Sequence, residues 1–301
     1  MGIKNAITVD VEDWFQVSLF RHKIRREDWD RMESTVVQNT CRILRLFEQK
    51  NVKATFFILG WVAERFPEIV LAIKDLGHEI ASHGYGHQII FEQTKQEFAE
   101  DVRRSLEILE DITGARVLGY RAPSYSITRS SIWAWESLTK LGVEYDSSIF
   151  PVKHDLYGIP DAPRFPFEIR FTNGPKLVEF PLSTVVMMGK NIPVAGGGYL
   201  RLYPYWFIRK SVQHINEEGQ PAIIYLHPWE MDPDLPRINV GVFDTMRHYG
   251  NLYMTESRIS RLLDEFQFGT ISEVLHTTEI RTDWPRTLEP NGRNGKLHPV
   301  G

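Results

Sequence analysis

Two histidines and a group of acids are the side chains of this sequence best suited to chemistry. His83 and His87 lie four residues apart, a spacing that on a helical turn lets both imidazoles bind one metal ion. Asp10, Glu12 and Asp13 follow an apolar segment near the N-terminus. Carboxylates this close repel one another unless a cation or an arginine compensates them. Together the two groups indicate a metal site, whereas the acids alone would also suit a solvated loop.

The segments that must position these residues alternate between strand-like and helix-like patterns. Short apolar runs typical of buried strands occupy residues 6–9, 54–59, 79–82, 117–120, 177–180 and 222–226. Apolar residues recur at helical spacing in residues 66–76, 95–113 and 130–141. This alternation predicts an α/β fold, either a parallel barrel or a doubly wound sheet. Residues 150–205 are rich in proline, glycine and aromatics, which predicts long loops or short strands at a rim.

The polar candidates fall at the ends of these strand-like runs. Asp10 follows the first run, His83 the third, Arg121 the fourth and His227 the last. In a parallel barrel, catalytic side chains collect at the carboxyl ends of the strands. We therefore expect these four residues to meet at one rim.

Composition limits the classes of function. The chain has 301 residues, of which 42% are hydrophobic, enough for a sizeable core. Its net charge of −4 and dispersed basic residues argue against a nucleic-acid partner. Cys41 is the single cysteine, so no disulfide forms within the chain. No run approaches the roughly 18 apolar residues of a membrane span. The N-terminus lacks the pattern of a signal peptide, and we expect a cytoplasmic location.

Three further features are interpreted as structural. His78, in a glycine-led turn, is expected to be a hydrogen-bonded residue and not a ligand. His248 has no partner at a useful spacing and is expected at the surface or at a helix cap. The glycine run 196–198 is not followed by Lys-Ser/Thr, which favours a flexible or bulged loop over a phosphate-binding one.

Separate motifs in a fixed order resemble the polysaccharide deacetylase family, also called the NodB-homology or carbohydrate esterase family 4. The motifs are Asp10, residues 55–60, residues 77–87, residues 121–123 and residues 226–227, and the resemblance covers about residues 1–230. Residues 10–16, 227–233, 247–249 and 266–269 further resemble a bacterial subgroup from exosortase (PEP-CTERM) exopolysaccharide loci. The resemblance implies a distorted (β/α) barrel that removes N-acetyl groups from the amino sugars of a saccharide substrate. It also implies a divalent metal, most often Zn²⁺, with Co²⁺, Ni²⁺ or Mn²⁺ as alternatives.

Residue by residue, the resemblance also implies roles. Asp10 matches the catalytic base, Arg121 the arginine that orients it, and His227 the general acid. His83 and His87 match the two metal-binding histidines. Asp146 matches an acidic position that holds or tunes the general acid, and Trp229 and Tyr125 are candidate wall residues for a sugar ring.

The sequence departs from the family pattern at two places. Val11 stands where the family places a second aspartate, so either Glu12 or Asp13 must complete the metal site. Glu12 shares a face with Asp10 if the strand continues, and Asp13 is available if the chain turns; we prefer Asp13. The proline of residues 121–123 is not followed directly by an aromatic, which leaves the backbone N–H of Ser124 or Tyr125 as the oxyanion donor.

The resulting hypothesis is a metal-dependent N-deacetylase with a single catalytic domain over residues 1–284. Residues 1–230 would form the family core, residues 231–284 a subgroup-specific part, and residues 285–301 a mobile tail. One alternative is an allantoinase-like amidase that works without metal. Another is a sugar-binding homologue that has lost turnover. No feature of the sequence indicates the oligomeric state.

Overall fold

The structure, a computed structural model, describes residues 2–154, 157–171 and 176–282. The predicted tail, residues 285–301, lies outside these ranges. The strands are β1 Lys4–Val11, β2 Thr55–Ile58, β3 Glu79–Ser82, β4 Gly119–Tyr120, β5 Tyr145–Asp146, β6 Phe167–Arg170, β7 Lys176–Glu179, β8 Thr184–Met187, β9 Lys190–Pro193, β10 Ile223–Leu226 and β11 Gln267–Gly269. The helices are α1 Val36–Gln49, α2 Gly60–Arg65, α3 Pro67–Asp75, α4 Lys95–Thr113, α5 Ala134–Lys140, α6 Gly198–Leu202, α7 Tyr205–Glu217, α8 Val242–Tyr249, α9 Thr255–Glu265 and α10 Ile271–Thr277.

Nine of these strands form one sheet in the order β10-β1-β2-β3-β4-β5-β7-β6, with β11 also pairing to β1. Neighbours pair in parallel except β6 and β7, which are antiparallel. Strands β8 and β9 form a separate hairpin within the segment predicted to hold loops or short strands. The predicted α/β class with a parallel sheet is confirmed.

The central strand β1 is buried because it lies between β10 and β2. Its apolar residues Ile7, Val9 and Val11 are all fully buried, as expected of a parallel strand covered on both faces. The register pairs Val9 with Leu226 on one side, and Asp10 with Phe57 on the other. This alignment puts the carboxyl ends of β1, β2 and β10 at one edge of the sheet.

The glycine run before α6 lets the chain approach β10 closely. A Cβ atom at Gly196 would lie 2.0 Å from the carbonyl oxygen of Tyr225, and Gly197 has a φ of +55°. Residue 196 pairs with Tyr225, two residues before His227. The run is therefore a close backbone contact beside the rim, where a side chain would collide with the strand.

Candidate active site

Glu12, His83 and His87 form the cluster best suited to a metal ion. Strand β1 continues to Val11, so Asp10 and Glu12 project from the same side of the extended chain. The ligand atoms of the three residues lie within 4.8 Å of one another. Glu12 Oε2 is 2.6 Å from His87 Nε2 but makes no aligned hydrogen bond, although it is buried.

Asp13 lies outside this cluster, and the sequence-based preference for it over Glu12 is wrong. Its carboxylate accepts hydrogen bonds from the backbone N–H groups of Trp14 and Thr35 and from the hydroxyl of Ser34. Asp13 therefore caps a short 3₁₀ turn and ties it to the start of α1. These donors occupy the Asp13 carboxylate at the start of α1, and it is not among the clustered ligand atoms.

The two histidines lie on a loop and not on the helical turn that their spacing suggested. Residues 83–87 follow β3 without helical structure, and His87 has a φ of +51°. The two imidazole rings are 5.4 Å apart between centroids. Asp101 of α4 holds the loop by accepting the N–H of Tyr85 at 2.7 Å and of Gly86 at 3.1 Å. Asp101 is a positioning residue that the sequence analysis missed, since no spacing links it to the loop.

The protonation of the cluster suits a divalent cation. Nδ1 of His83 lies 2.8 Å from the carbonyl oxygen of Arg121, which can only accept, so Nδ1 carries the proton and Nε2 keeps its lone pair. Burial lowers the pKa of His83 to about 4, and its imidazole is neutral. Burial alone would raise the pKa of Glu12, but the neighbouring histidines, His87 foremost, lower it to about 2. Two imidazoles and one carboxylate are a donor set that Zn²⁺ commonly takes.

Asp10 is held by a buried arginine and a buried phenol. Arg121 donates from Nη1 to Asp10 Oδ1 at 2.6 Å, and its other nitrogens donate to the carbonyl and hydroxyl of Ser147. Tyr125 donates its hydroxyl to Asp10 Oδ2 at 3.1 Å. Both oxygens of the carboxylate are thus fixed in position, as the matched role of Arg121 predicts for this base.

His227 lies beside Asp10 and the carboxylate of the metal cluster. Its Nε2 is 3.9 Å from Asp10 Oδ2 and 3.7 Å from Glu12 Oε1. Its Nδ1 lies 3.3 Å from Glu230 Oε2, and Arg201 Nε donates to the other oxygen of Glu230 at 2.8 Å. Burial alone would lower the pKa of His227, but Glu230 and the nearby carboxylates raise it to about 9. The imidazolium therefore has a proton to donate at neutral pH.

Asp146 does not contact His227 in the part of the chain that the structure describes, so its predicted tuning role is wrong. It accepts hydrogen bonds from Trp135 Nε1 at 2.8 Å and from the Ser148 hydroxyl. Burial raises the pKa of Asp146, which lies beside the buried Glu179. The carboxylate that contacts Nδ1 of His227 is that of Glu230, which follows His227 by three residues in a 3₁₀ turn.

Trp229 is fixed by polar and stacking contacts on the cavity side of the site. Its indole N–H donates to Glu12 Oε1 at 3.2 Å. Its ring stacks on His227 at 5.0 Å and on His248 at 4.4 Å between centroids. His248 is therefore buried in the site wall, and the expectation of a surface or capping position is wrong.

The two candidate oxyanion donors differ in whether their backbone N–H already makes a hydrogen bond. The N–H of Tyr125 already donates to the Ala122 carbonyl at 3.0 Å. Ser124, whose φ is +53°, is the remaining candidate, and its side chain is hydrogen-bonded to Ser18. Both residues line the same cavity.

That cavity measures about 480 Å³, a volume suited to a small molecule or one portion of a longer one. Its wall includes the side chains of Asp10, Glu12, His83, His87 and His227. The base, the metal cluster and the acid are thus accessible from one space.

Two family models match successive parts of the chain. Residues 29–145 match the polysaccharide deacetylase model, and residues 147–276 match a domain of unknown function, DUF3473. The chain thus contains a region, residues 29–145, that matches the polysaccharide deacetylase family. Strands from both matched parts join the same sheet, since β1 pairs with β2 of the first part and with β10 of the second.

Curated relatives resemble the same part of the chain, and a solved structure resembles its fold. The chain is 34% identical over 108 residues to a peptidoglycan deacetylase of Helicobacter pylori, and 38% identical over 98 residues to a peptidoglycan-N-acetylglucosamine deacetylase of Bacillus cereus. These matches cover 36% and 32% of this chain, and 36% of each relative, so the chain spans about a third of the relatives' length. A crystal structure from Mycobacterium smegmatis, assigned to the polysaccharide deacetylases, has a TM-score of 0.63 at 21% identity and covers 94% of both chains.

This likeness confirms the predicted distorted (β/α) barrel of the polysaccharide deacetylases. The exosortase-locus subgroup stays a prediction. Within residues 2–154, 157–171 and 176–282, no helix has the length and apolar character needed to cross a bilayer.

Proposed function

We propose that this chain is a metal-dependent hydrolase that removes N-acetyl groups from amino sugars of a bacterial polysaccharide or its precursor. One observation carries the proposal: a base, a three-residue metal cluster and an acid line one cavity, with Asp10 and His227 3.9 Å apart at their nearest charged atoms. Binding alone would not need an acid and a base arranged in this way.

Glu12, His83 and His87 would hold the metal, for which we propose Zn²⁺, with Co²⁺, Ni²⁺ and Mn²⁺ as alternatives. A divalent ion in such a site polarises the acetyl carbonyl and makes bound water more acidic. The chain's contribution is to present one carboxylate and two imidazoles from the end of β1 and the loop after β3.

The remaining groups act on protons. Asp10 would accept a proton from the attacking water, while Arg121 and Tyr125 keep its carboxylate in place. His227 would donate a proton to the departing nitrogen, because Glu230 holds its imidazole in the charged form. The backbone N–H of Ser124 is our candidate for stabilising the oxyanion.

We propose that residues 1–284 act as one catalytic unit. The second matched part supplies the acid, its partner Glu230 and the strand β10 that pairs with β1. The base and the metal cluster lie before residue 146. Neither part contains the whole site.

The test combines metal analysis with product release. Purified protein should contain near-stoichiometric metal and release acetate from N-acetylglucosamine oligomers, with activity lost on chelation and restored by zinc. Asp10→Asn should lower kcat by about 10²–10⁴-fold while metal content is retained. A protein that acts without metal would support the amidase alternative, and one that binds metal and saccharide without turnover would support the binding homologue.

A further inference from the structure

Helix α8 carries a row of apolar side chains that nothing in the described structure covers. Val242 and Phe243 are each 83% exposed, and Met246 is 55% exposed. Spaced at i, i+1 and i+4, they share one side of the helix, which we call the α8 face. Exposed apolar groups this large and this close together are unusual on a surface that contacts only water.

Helix α8 borders the active-site cavity with a different side from the α8 face. Asp244, Arg247 and His248 line that cavity, whereas the three side chains of the α8 face do not. The buried Arg201 of α6 donates to the backbone carbonyls of Arg247 and Gly250, which holds the two helices together. Whatever covers the α8 face therefore packs on the outer side of a helix whose other side lines the site.

Further apolar groups extend this surface along the adjoining helices. Leu202, the last residue of α6, is 37% exposed and contacts the C-terminal end of α8 near Gly250. Trp206, in the first turn of α7, is 61% exposed, and the ammonium of Lys210 lies 5.9 Å from its ring. The apolar surface thus adjoins a cation.

Charged side chains of both signs surround this surface, and in the part of the chain that the structure describes, Asp232, Asp234 and Asp244 are acids of these segments without an ion pair. Among the described residues, four exposed cations on these segments have no ion pair: Lys23, Lys210, Arg237 and Arg247. Lys23 donates to the carbonyl of Asn239, which joins its segment to the approach to α8. Asp244 is the one acidic residue of α8, while the nearby Arg21 and Arg209 are paired with Glu92 and Glu265.

We propose that the α8 face docks onto the surface of a bilayer that contains anionic lipids. Apolar side chains at the headgroup boundary, flanked by Lys and Arg, are the pattern by which short helices bind such surfaces without crossing them. Lys23, Lys210 and Arg237, the unpaired cations that do not line the cavity, supply the complementary charge for lipid phosphates. Docking would hold the protein near saccharides carried at the membrane; this consequence rests on the proposed function, whereas the docking does not.

Vesicle co-sedimentation tests the docking on the full chain. The probes are phosphatidylcholine vesicles with and without phosphatidylglycerol, at low and high salt. The variant Val242→Ser/Phe243→Ser/Met246→Ser removes the α8 face. Exposed side chains at the tip of the β8–β9 hairpin, which does not line the cavity, supply the matched control, Val186→Ser/Met187→Ser/Met188→Ser.

Wild-type protein and the hairpin variant should bind vesicles with phosphatidylglycerol equally, and more weakly as salt increases. The α8 variant should bind at least about tenfold more weakly, because less apolar surface enters the headgroup boundary. Absence of wild-type binding, or equal loss in both variants, would overturn the proposal. So would a concentration-dependent dimer that only the α8 variant loses, since a second copy would then cover the face. None of these results depends on turnover. Failure of the docking proposal can therefore be told apart from failure of the proposed deacetylase function.

Discussion

Replacing the adjacent acids Glu12 and Asp13 by their amides, one at a time, should show which of them binds the metal and which of them only supports the fold. Glu12→Gln removes the charged ligand of the cluster yet keeps an oxygen that can accept the Trp229 indole N–H. Loss of a partner that only orients a ligand costs about 10–100-fold in metal affinity, so loss of a direct ligand should cost at least about 100-fold. In metal-free protein the substitution should also lower the free energy of unfolding, because, although burial alone would raise the pKa of Glu12, the neighbouring histidines stabilise the ionised carboxylate and hold that pKa at about 2.

Asp13→Asn should destabilise the fold and leave metal binding nearly unchanged. The Asp13 carboxylate accepts from Trp14 N–H, Ser34 Oγ and Thr35 N–H. Hydrogen bonds to a charged group contribute about 1.5–3 kcal/mol each, and those between neutral groups about 0.5–1.5 kcal/mol. In the asparagine variant, the amide NH₂ would also replace one accepting oxygen and would face groups that can only donate. We expect the free energy of unfolding to fall by about 2–4 kcal/mol, with metal affinity within about threefold of wild type.

Both quantities can be measured on the same preparations. Zinc affinity is obtained by competition with a chromophoric chelator, and the free energy of unfolding by urea titration of metal-free protein. If Asp13→Asn weakened zinc binding as much as Glu12→Gln, the assignment of Glu12 as the metal ligand would be refuted. Equal stability of Asp13→Asn and wild type would refute the capping role.

Three further changes probe the acid, the base and the pH dependence of stability. Glu230→Gln should lower kcat about 100-fold with little change in KM, because it removes the charge that keeps His227 protonated; an unchanged kcat would contradict this. Tyr125→Phe should lower kcat about tenfold in acetate-release assays, since Asp10 loses one hydrogen bond of about 1.4 kcal/mol, while Tm should change little. Burial lowers the pKa of His78 from 6.5 to about 4, so the unfolded chain binds a proton between these pH values that the folded chain does not. Stability should therefore fall by about 3 kcal/mol as pH drops from 6.5 to 4, and His78→Gln, which can still accept a backbone N–H, should flatten that slope in urea titrations.

Local signals in the sequence were sufficient to predict the position of some helices and strands. Helix α4 occupies the predicted residues, Lys95–Thr113, because both ends are specified locally. Thr94 and Glu97 form a capping box at its start, and Gly114 ends it in the left-handed conformation. The two-residue strand β5 carries no comparable pattern and was not predicted.

Site residues were predictable where they followed a strand with a clear apolar sequence pattern. Asp10 and His227 meet because β1 and β10 are adjacent and in register. The choice between Glu12 and Asp13 depended on whether β1 ended at Val9 or at Val11, and strand ends are weakly encoded. An H-x-x-E spacing in a 3₁₀ turn would have pointed to Glu230.

Other positions depend on contacts between distant segments. Arg201 reaches Glu230 only after the glycine run has brought α6 against β10. Asp101 reaches the histidine loop from the middle of the α4 region. Asp146 faces Trp135 and not His227, because residue 146 lies in β5, several strands from β10. Such contacts follow from tertiary packing, which no spacing in the sequence describes.

Arg121 touches two functional groups through different atoms. Its guanidinium binds Asp10, and its backbone carbonyl binds Nδ1 of His83. The separation of base and metal ligand is therefore set by one residue whose side chain is completely buried. A small displacement of β4 would carry both groups in the same direction and leave their spacing intact. A designer who transfers this site to another barrel would need to transfer the backbone position of Arg121 together with its side chain.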